Sequence, residues 1–100
     1  DFSESKIGRF LFDLKDKFEG PVVVDMLCYL RIYTELALRA KGVLMMRENG
    51  LDVPVGERTH EKFDEMEYLE KSIGTTGLLA MRPFLHYTRK DLWQLNVLED

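Results

Sequence analysis

The sequence has little of what would constrain a chain covalently or send it out of the cell. It contains one cysteine and three prolines in 100 residues. A single thiol, Cys28, excludes an internal disulfide and a multi-cysteine zinc site, and it fits a reducing compartment. No basic segment followed by an apolar one opens the chain, so it shows no secretory signal peptide. The net charge of −4 argues against nucleic-acid binding, which usually depends on a basic surface.

The sequence also lacks an uninterrupted apolar run of membrane-spanning length. Its longest mostly apolar stretch, EGPVVVDMLCYLRIYTELALRAKGVLMM, covers residues 19–46. Five charged residues interrupt it: Asp25, Arg31, Glu35, Arg39 and Lys41. A transmembrane helix needs about 20 predominantly apolar residues, and each central charge costs about 2.5–3.5 kcal/mol on insertion. The stretch is therefore predicted to be a helix of a soluble domain and not a membrane span.

Apolar residues recur at helical spacing along the chain, and no segment alternates with period two over a useful length. Helices are predicted over Ser3–Phe18, Pro21–Glu48 and Thr59–Ile73, then from Thr75 or Thr76 to just before Pro83, and finally from Thr88 to Leu98. Glycines mark several of the ends. The prediction is an all-α, compact bundle of four to five helices with a long central second helix. Residues 1–100 are expected to form one domain, excised from a larger protein because the chain begins at Asp1 and not at Met.

The second helix carries two apolar rows. The stronger row is the unbroken seam Val22, Met26, Tyr29, Tyr33, Ala37, Ala40 and Leu44, which we expect to be the main axis of the core. The weaker row lies on the opposite side and consists of Val24, Leu27, Leu38 and Met45, interrupted by Arg31. Another helix of the domain or a partner must cover that row, and homodimerisation through it is the specific expectation.

Charge also predicts how the helices pair. Residues 31–48 hold four basic and two acidic side chains, whereas residues 57–71 hold six acidic and three basic ones. A short loop separates the two segments, so they are expected to be antiparallel neighbours with complementary charge.

No residue constellation dictates a chemistry. His60 and Asp64 share a helix face beside Glu61 and Glu65, but HEKFDE lacks the second histidine of a metalloprotease motif. Acidic residues are expected in the first turn of a helix because of its dipole. Cys28 lies mid-helix among apolar residues and is predicted to be a packed thiol. We therefore predict no catalytic residue, no metal ligand and no cofactor.

Two alternatives stay open at this level. The first is a small helical ligand-binding, metal-binding or enzymatic domain that uses His60 and the acidic residues around it, or His86 with Arg82 and Arg89. The second is lipid binding through Met81–Trp93, where basic residues alternate with aromatic ones.

Three segments carry a resemblance to a known family: DMLCYLRIYTELALRAKGVLMM, EMEYLEKSIGTTGLLAMRP and RKDLWQL. Together, over Lys6 to Leu98, they resemble the soluble region that follows the membrane part of PrsW-type bacterial intramembrane proteases. The resemblance implies a cytoplasmic appendage of a membrane protein. That family's catalytic glutamates lie in membrane helices that no segment here matches, so no catalytic residue is carried over. The expected function is a non-catalytic cytosolic helical domain that mediates or regulates interactions within a larger bacterial protein, which itself can be membrane-anchored.

Overall fold

The computed structural model describes residues 2–53, 58–85 and 92, with side chains from Gly8 onward in the first helix. These ranges contain three helices, α1 (Phe2–Lys17), α2 (Gly20–Glu48) and α3 (Thr59–Leu85), and no strand. The all-α prediction is confirmed, whereas the bundle of four to five helices is not. The helix expected over Thr88–Leu98 lies outside the described residues, apart from the buried Leu92.

α2 begins with Pro21 in its first turn and ends in a Schellman motif. The amide of Leu51 donates to the carbonyl of Met46 at 3.0 Å. The amide of Gly50, which has a φ of 83°, donates to the carbonyl of Arg47 at 3.1 Å. The Arg47 guanidinium then holds the following loop by donating to the Val53 carbonyl at 2.8 Å. These bonds stop the 29-residue helix where the sequence predicts an end.

α3 contains a break at Gly74, which has φ 78° and ψ 171°. This conformation is essentially confined to glycine because a Cβ would clash with the backbone. The sequence predicts a helix end here and a separate short helix after it. The backbone confirms the break, since helical geometry stops at Gly74 and resumes after it. The two halves join directly across this one residue and count as one element, which lowers the number of separate helices.

The two halves of α3 run in opposite directions along α2. Before the break, Lys62 bonds to Glu35 and Tyr29 to Glu70, so the chain moves toward the start of α2. This half is antiparallel to α2, as predicted. After the break, Gly77 lies beside Met26, and the hydroxyl of Tyr33 donates to the carbonyl of Leu85 at 2.5 Å. The second half therefore returns along α2 in the parallel sense.

The expectation that this segment ends before Pro83 is wrong, because α3 continues to Leu85. Proline lacks the amide that would bond to the carbonyl four residues earlier, here that of Leu79. Leu79 lies at an exposed position, where water can satisfy its carbonyl. Only one helical hydrogen bond is lost, close to the end of the helix.

The core lies between α2 and the folded-back α3, with α1 at one side. From α2 it takes eight buried side chains: Met26, Tyr29, Ile32, Tyr33, Leu36, Ala37, Ala40 and Val43. From the other helices it takes Leu14, Met66, Leu69, Ile73 and Met81. The predicted seam is buried at its five central positions and half-buried at Val22 and Leu44. Each fully buried large side chain contributes about 1.5–3 kcal/mol to folding.

Candidate interaction surface on the central helix

The weaker apolar row of α2 lies on the side of the helix that faces away from the core. Its four apolar side chains are exposed: Val24 by 57%, Leu27 by 39%, Leu38 by 67% and Met45 by 63%. Val24, Arg31, Leu38 and Met45 follow each other at intervals of seven residues, which return to nearly the same angle on a helix. We call Val24, Leu27, Arg31, Leu38 and Met45 the outer face of α2. The structure thus brings the sequence-predicted residues together on one surface and does not cover their apolar side chains.

Halfway along its length, the outer face is charged at Arg31 and is bordered by the charged Glu35. Arg31 Nη1 lies 3.4 Å from Glu35 Oε2, one helical turn away. Lys62 reaches Glu35 from α3 and bonds to its other carboxylate oxygen. The hydrogen bond from Lys62, followed by the positive charges of Lys62 and Arg31, lowers the pKa of Glu35 from its ordinary value, although partial desolvation opposes this shift. Glu35 is therefore anionic at neutral pH beside the cationic Arg31.

The ion pair between Glu35 and Lys62 reverses the polarity expected from charge composition. The sequence predicts a basic α2 against an acidic first half of α3. In this pair the acid comes from α2 and the base from α3. Net charge of a segment does not determine which side chains meet, because that depends on the register of the two helices.

A glycine creates a low point on the same surface. Gly42 follows Val24 by eighteen residues, which is five complete turns of an α-helix, so both lie at the same angle. A Cβ added at Gly42 would meet no atom within 4 Å. The backbone of α2 is thus open to close approach at this position.

The fold-back of α3 also forms a groove that sequence reasoning missed. It has a volume of about 570 Å³ and lies against Tyr29 and Tyr33 of α2. The hydroxyl of Tyr29 donates to Glu70 at 2.9 Å, and Arg82 stands on the opposite half of α3. The sequence contains no signal for this groove beyond Gly74, since it arises only when the halves of α3 lie side by side.

The acidic cluster near His60 forms a second, shallower groove of about 500 Å³, which His60, Asp64 and Glu67 line together with Glu70. Glu61 and Glu65 do not line it. Within residues 2–53 and 58–85, no group of three or more His, Cys, Asp or Glu side chains is arranged to hold a metal ion. His86 and Arg89, the other residues considered for this role, lie outside the described ranges.

The segment Met81–Trp93 is described only in part. Met81 is fully buried, Arg82 and Pro83 are exposed, and Phe84 and Leu85 are half-buried. Phe84 packs on Phe10 of α1 with ring centroids 4.3 Å apart. Met81 is therefore part of the core, Leu85 packs against the core, and Phe84 packs against α1.

In the part of the chain that the structure describes, each helix is too short or too polar to cross a membrane. Comparison of the chain with family models, curated proteins and solved structures found no match.

Proposed function

We propose that this chain is a non-catalytic helical interaction domain and that the outer face of α2 is its docking surface. The observation that carries the proposal is the exposure of Val24, Leu27, Leu38 and Met45 on a helix whose other side is sealed in the core. Scattered exposed apolar residues are normal on a protein surface, but several that share one side of one helix are typical of an interface.

The surface has the shape and chemistry of a helix-packing site. Apolar side chains lie toward both ends, charged side chains lie in the middle, and Gly42 permits close approach of a partner backbone. Helices that pack at about 20° present side chains at a seven-residue period, which is the spacing of Val24, Arg31, Leu38 and Met45.

A photo-crosslinking experiment tests this proposal. A photoreactive amino acid replaces Leu38 in the full-length parent protein, produced in its native cells, and Tyr68 is replaced in a control. Tyr68 is 70% exposed, similar to Leu38, but lies on α3. We expect one discrete crosslinked species from position 38 and none from position 68, and Leu27→Asp should abolish the species. Equal, diffuse crosslinking from both positions would contradict the proposal.

The wider setting belongs to the same proposal. The resemblance to the soluble region of PrsW-type proteases supports a cytoplasmic domain attached to a bacterial membrane protein. The full-length gene tests this part directly, because membrane-spanning segments upstream of Asp1 are expected. A parent protein without such segments would contradict the membrane context and leave the docking surface to be judged by the crosslinks.

Small-ligand binding is a second candidate function, favoured by the groove along Tyr29 and Tyr33. Its volume of about 570 Å³ falls within the range of ligand sites, and Arg82 supplies an exposed cation for an anionic group. A thermal-shift screen over metals and phosphorylated ligands tests it, with Arg82→Gln as the matched variant. A large shift that Arg82→Gln removes would favour this function over the interaction domain.

A further inference from the structure

The order of side chains along the exposed side of α2 is complementary to the same order running in the opposite direction. Leu27, Arg31, Glu35 and Leu38 follow each other along the exposed side of α2 as apolar, positive, negative and apolar. We propose that the partner of this face is a second copy of the chain, packed antiparallel about a two-fold axis at the level of Tyr33. The inference rests on the proposed docking function and specifies its partner.

The two-fold axis fixes which residues meet. With the axis at the level of residue 33, a residue of one copy lies opposite a residue of the second copy, and the two residue numbers add up to 66. Arg31 of one copy then faces Glu35 of the second copy, and the symmetry repeats this pair. Leu27 of one copy lies opposite position 39 of the second copy, which is next to Leu38. A parallel arrangement would instead place Arg31 against Arg31, so charge selects the antiparallel one.

The ends of the face fit the same register. Val24 lies opposite Gly42 of the second copy, where the missing side chain leaves room for it. Met45 lies opposite Pro21, which is exposed at the start of α2. From Val24 to Met45 the helix extends about 32 Å, so the contact runs along most of the length of α2. An isologous dimer of this kind is the commonest form of protein oligomer.

A charge exchange tests both the partner and its direction. Arg31→Glu places two glutamates on each copy, and Glu35→Arg places two arginines, so each variant alone opposes like charges across the axis. Sedimentation velocity should show that the wild type forms dimers. For each variant alone, the dissociation constant of the dimer should be larger by on the order of tenfold or more. An equimolar mixture of the two variants should form a heterodimer. Wild type that stays monomeric at high concentration, or a mixture that stays monomeric, would overturn the inference.

Cysteine crosslinking tests the register independently. In the proposed dimer, position 38 lies opposite Cys28 of the second copy, a free thiol that is half-buried and not fully packed as the sequence predicts. Leu38→Cys should therefore give dimers with a short bismaleimide reagent when Cys28 is present, and monomers when Cys28→Ser accompanies it. Crosslinking that persists without Cys28 would indicate parallel packing and overturn the inference.

A glycine substitution separates docking from folding. Gly42→Gln has open space around its Cβ in the single chain, as does the control Gly8→Gln on α1. Both should preserve or raise the melting temperature at low concentration, whereas only Gly42→Gln should weaken the dimer. Dimerisation unaffected by Gly42→Gln would contradict the proposed register.

The outcome also distinguishes this inference from the proposed function. A discrete photo-crosslink at position 38 to a different protein, with monomeric wild type, would overturn the self-association and leave the docking function standing. Absence of any discrete crosslink at position 38 would overturn both.

Discussion

The two sides of α2 have comparable side chains and different surroundings. The inner side places Met26, Tyr29 and Tyr33 against α3, and Met26 is 0% exposed. The outer side presents Val24, Leu38 and Met45 to solvent, each more than half exposed. Both sides hold large aliphatic side chains and a methionine, and the outer row differs in the sequence by the interruption at Arg31.

The difference lies in what each side contacts. The inner side is covered because α3 reverses at Gly74 and passes along α2 twice. Neither half of α3 covers the exposed row, and Lys62 reaches only its border at Glu35. A buried apolar face and an exposed apolar face thus share one helix, because both halves of α3 pass along the same side of it.

The largest expected contrast comes from truncating a methionine or leucine on each side. Met26→Ala should lower the free energy of unfolding by about 2–5 kcal/mol, because it leaves a cavity in a fully enclosed site. Leu38→Ala should change it by less than about 0.5 kcal/mol in dilute, monomeric protein. Urea denaturation measures both. Similar losses from the two variants would mean that the outer side is covered within the single chain.

Glycines offer a second contrast. A Cβ at Gly77 would collide with the buried Ile73 side chain, so Gly77→Ala should destabilise the protein by about 1–2 kcal/mol despite the better helix propensity of alanine. Gly42→Ala on the outer side should stabilise it by up to about 1 kcal/mol, since the space is open. Thermal unfolding at low protein concentration reports both signs. A stabilising Gly77→Ala would indicate a looser contact between α2 and the halves of α3.

Tyrosines allow a finer comparison. Tyr33→Phe removes the donor to the Leu85 carbonyl and should cost about 0.5–1.5 kcal/mol. Tyr68→Phe, at an exposed position on α3, should leave the free energy of unfolding unchanged. Equal effects in chemical denaturation would argue against the contact that fastens the returning half of α3.

The smallest expected effect on stability comes from Glu35, at the border between the inner and outer sides of α2. Glu35 has a lowered pKa in the folded state because of Lys62 and Arg31, so it binds a proton less readily there than in the unfolded chain. Its contribution to stability is present above the ordinary value of 4.5 and is lost as the pH falls through the lower folded pKa. Glu35→Gln should slightly flatten the decline of stability below that pH.

Acid titration of the melting temperature tests this expectation. Glu61→Gln serves as the control, since Glu61 is an exposed glutamate that pairs with Arg58 within α3. Identical profiles for wild type and Glu35→Gln would show that the pair with Lys62 contributes nothing to folding.

Much of the fold was predictable because it is local. The periodicity of apolar residues identified α1 and α2, and the Asn49-Gly50 pair correctly marked the end of α2. The helix end expected before Pro83 rested on the missing amide of proline and was wrong, since the cost of one lost hydrogen bond near a helix end is small. The periodicity also missed the groove at Tyr29 and Tyr33, which depends on two segments that are distant in sequence.

The sequence by itself determined that the described chain is helical, that α2 carries two apolar rows, and which residues occupy each row. These properties follow from side-chain spacing on a helix of 3.6 residues per turn. The sequence also predicted correctly that the stronger, unbroken row is buried. Only the tertiary structure decided that neither half of α3 covers the weaker row. The reversal at Gly74 directs both halves of α3 to the same side of α2, so one row is covered and the other is left exposed to solvent.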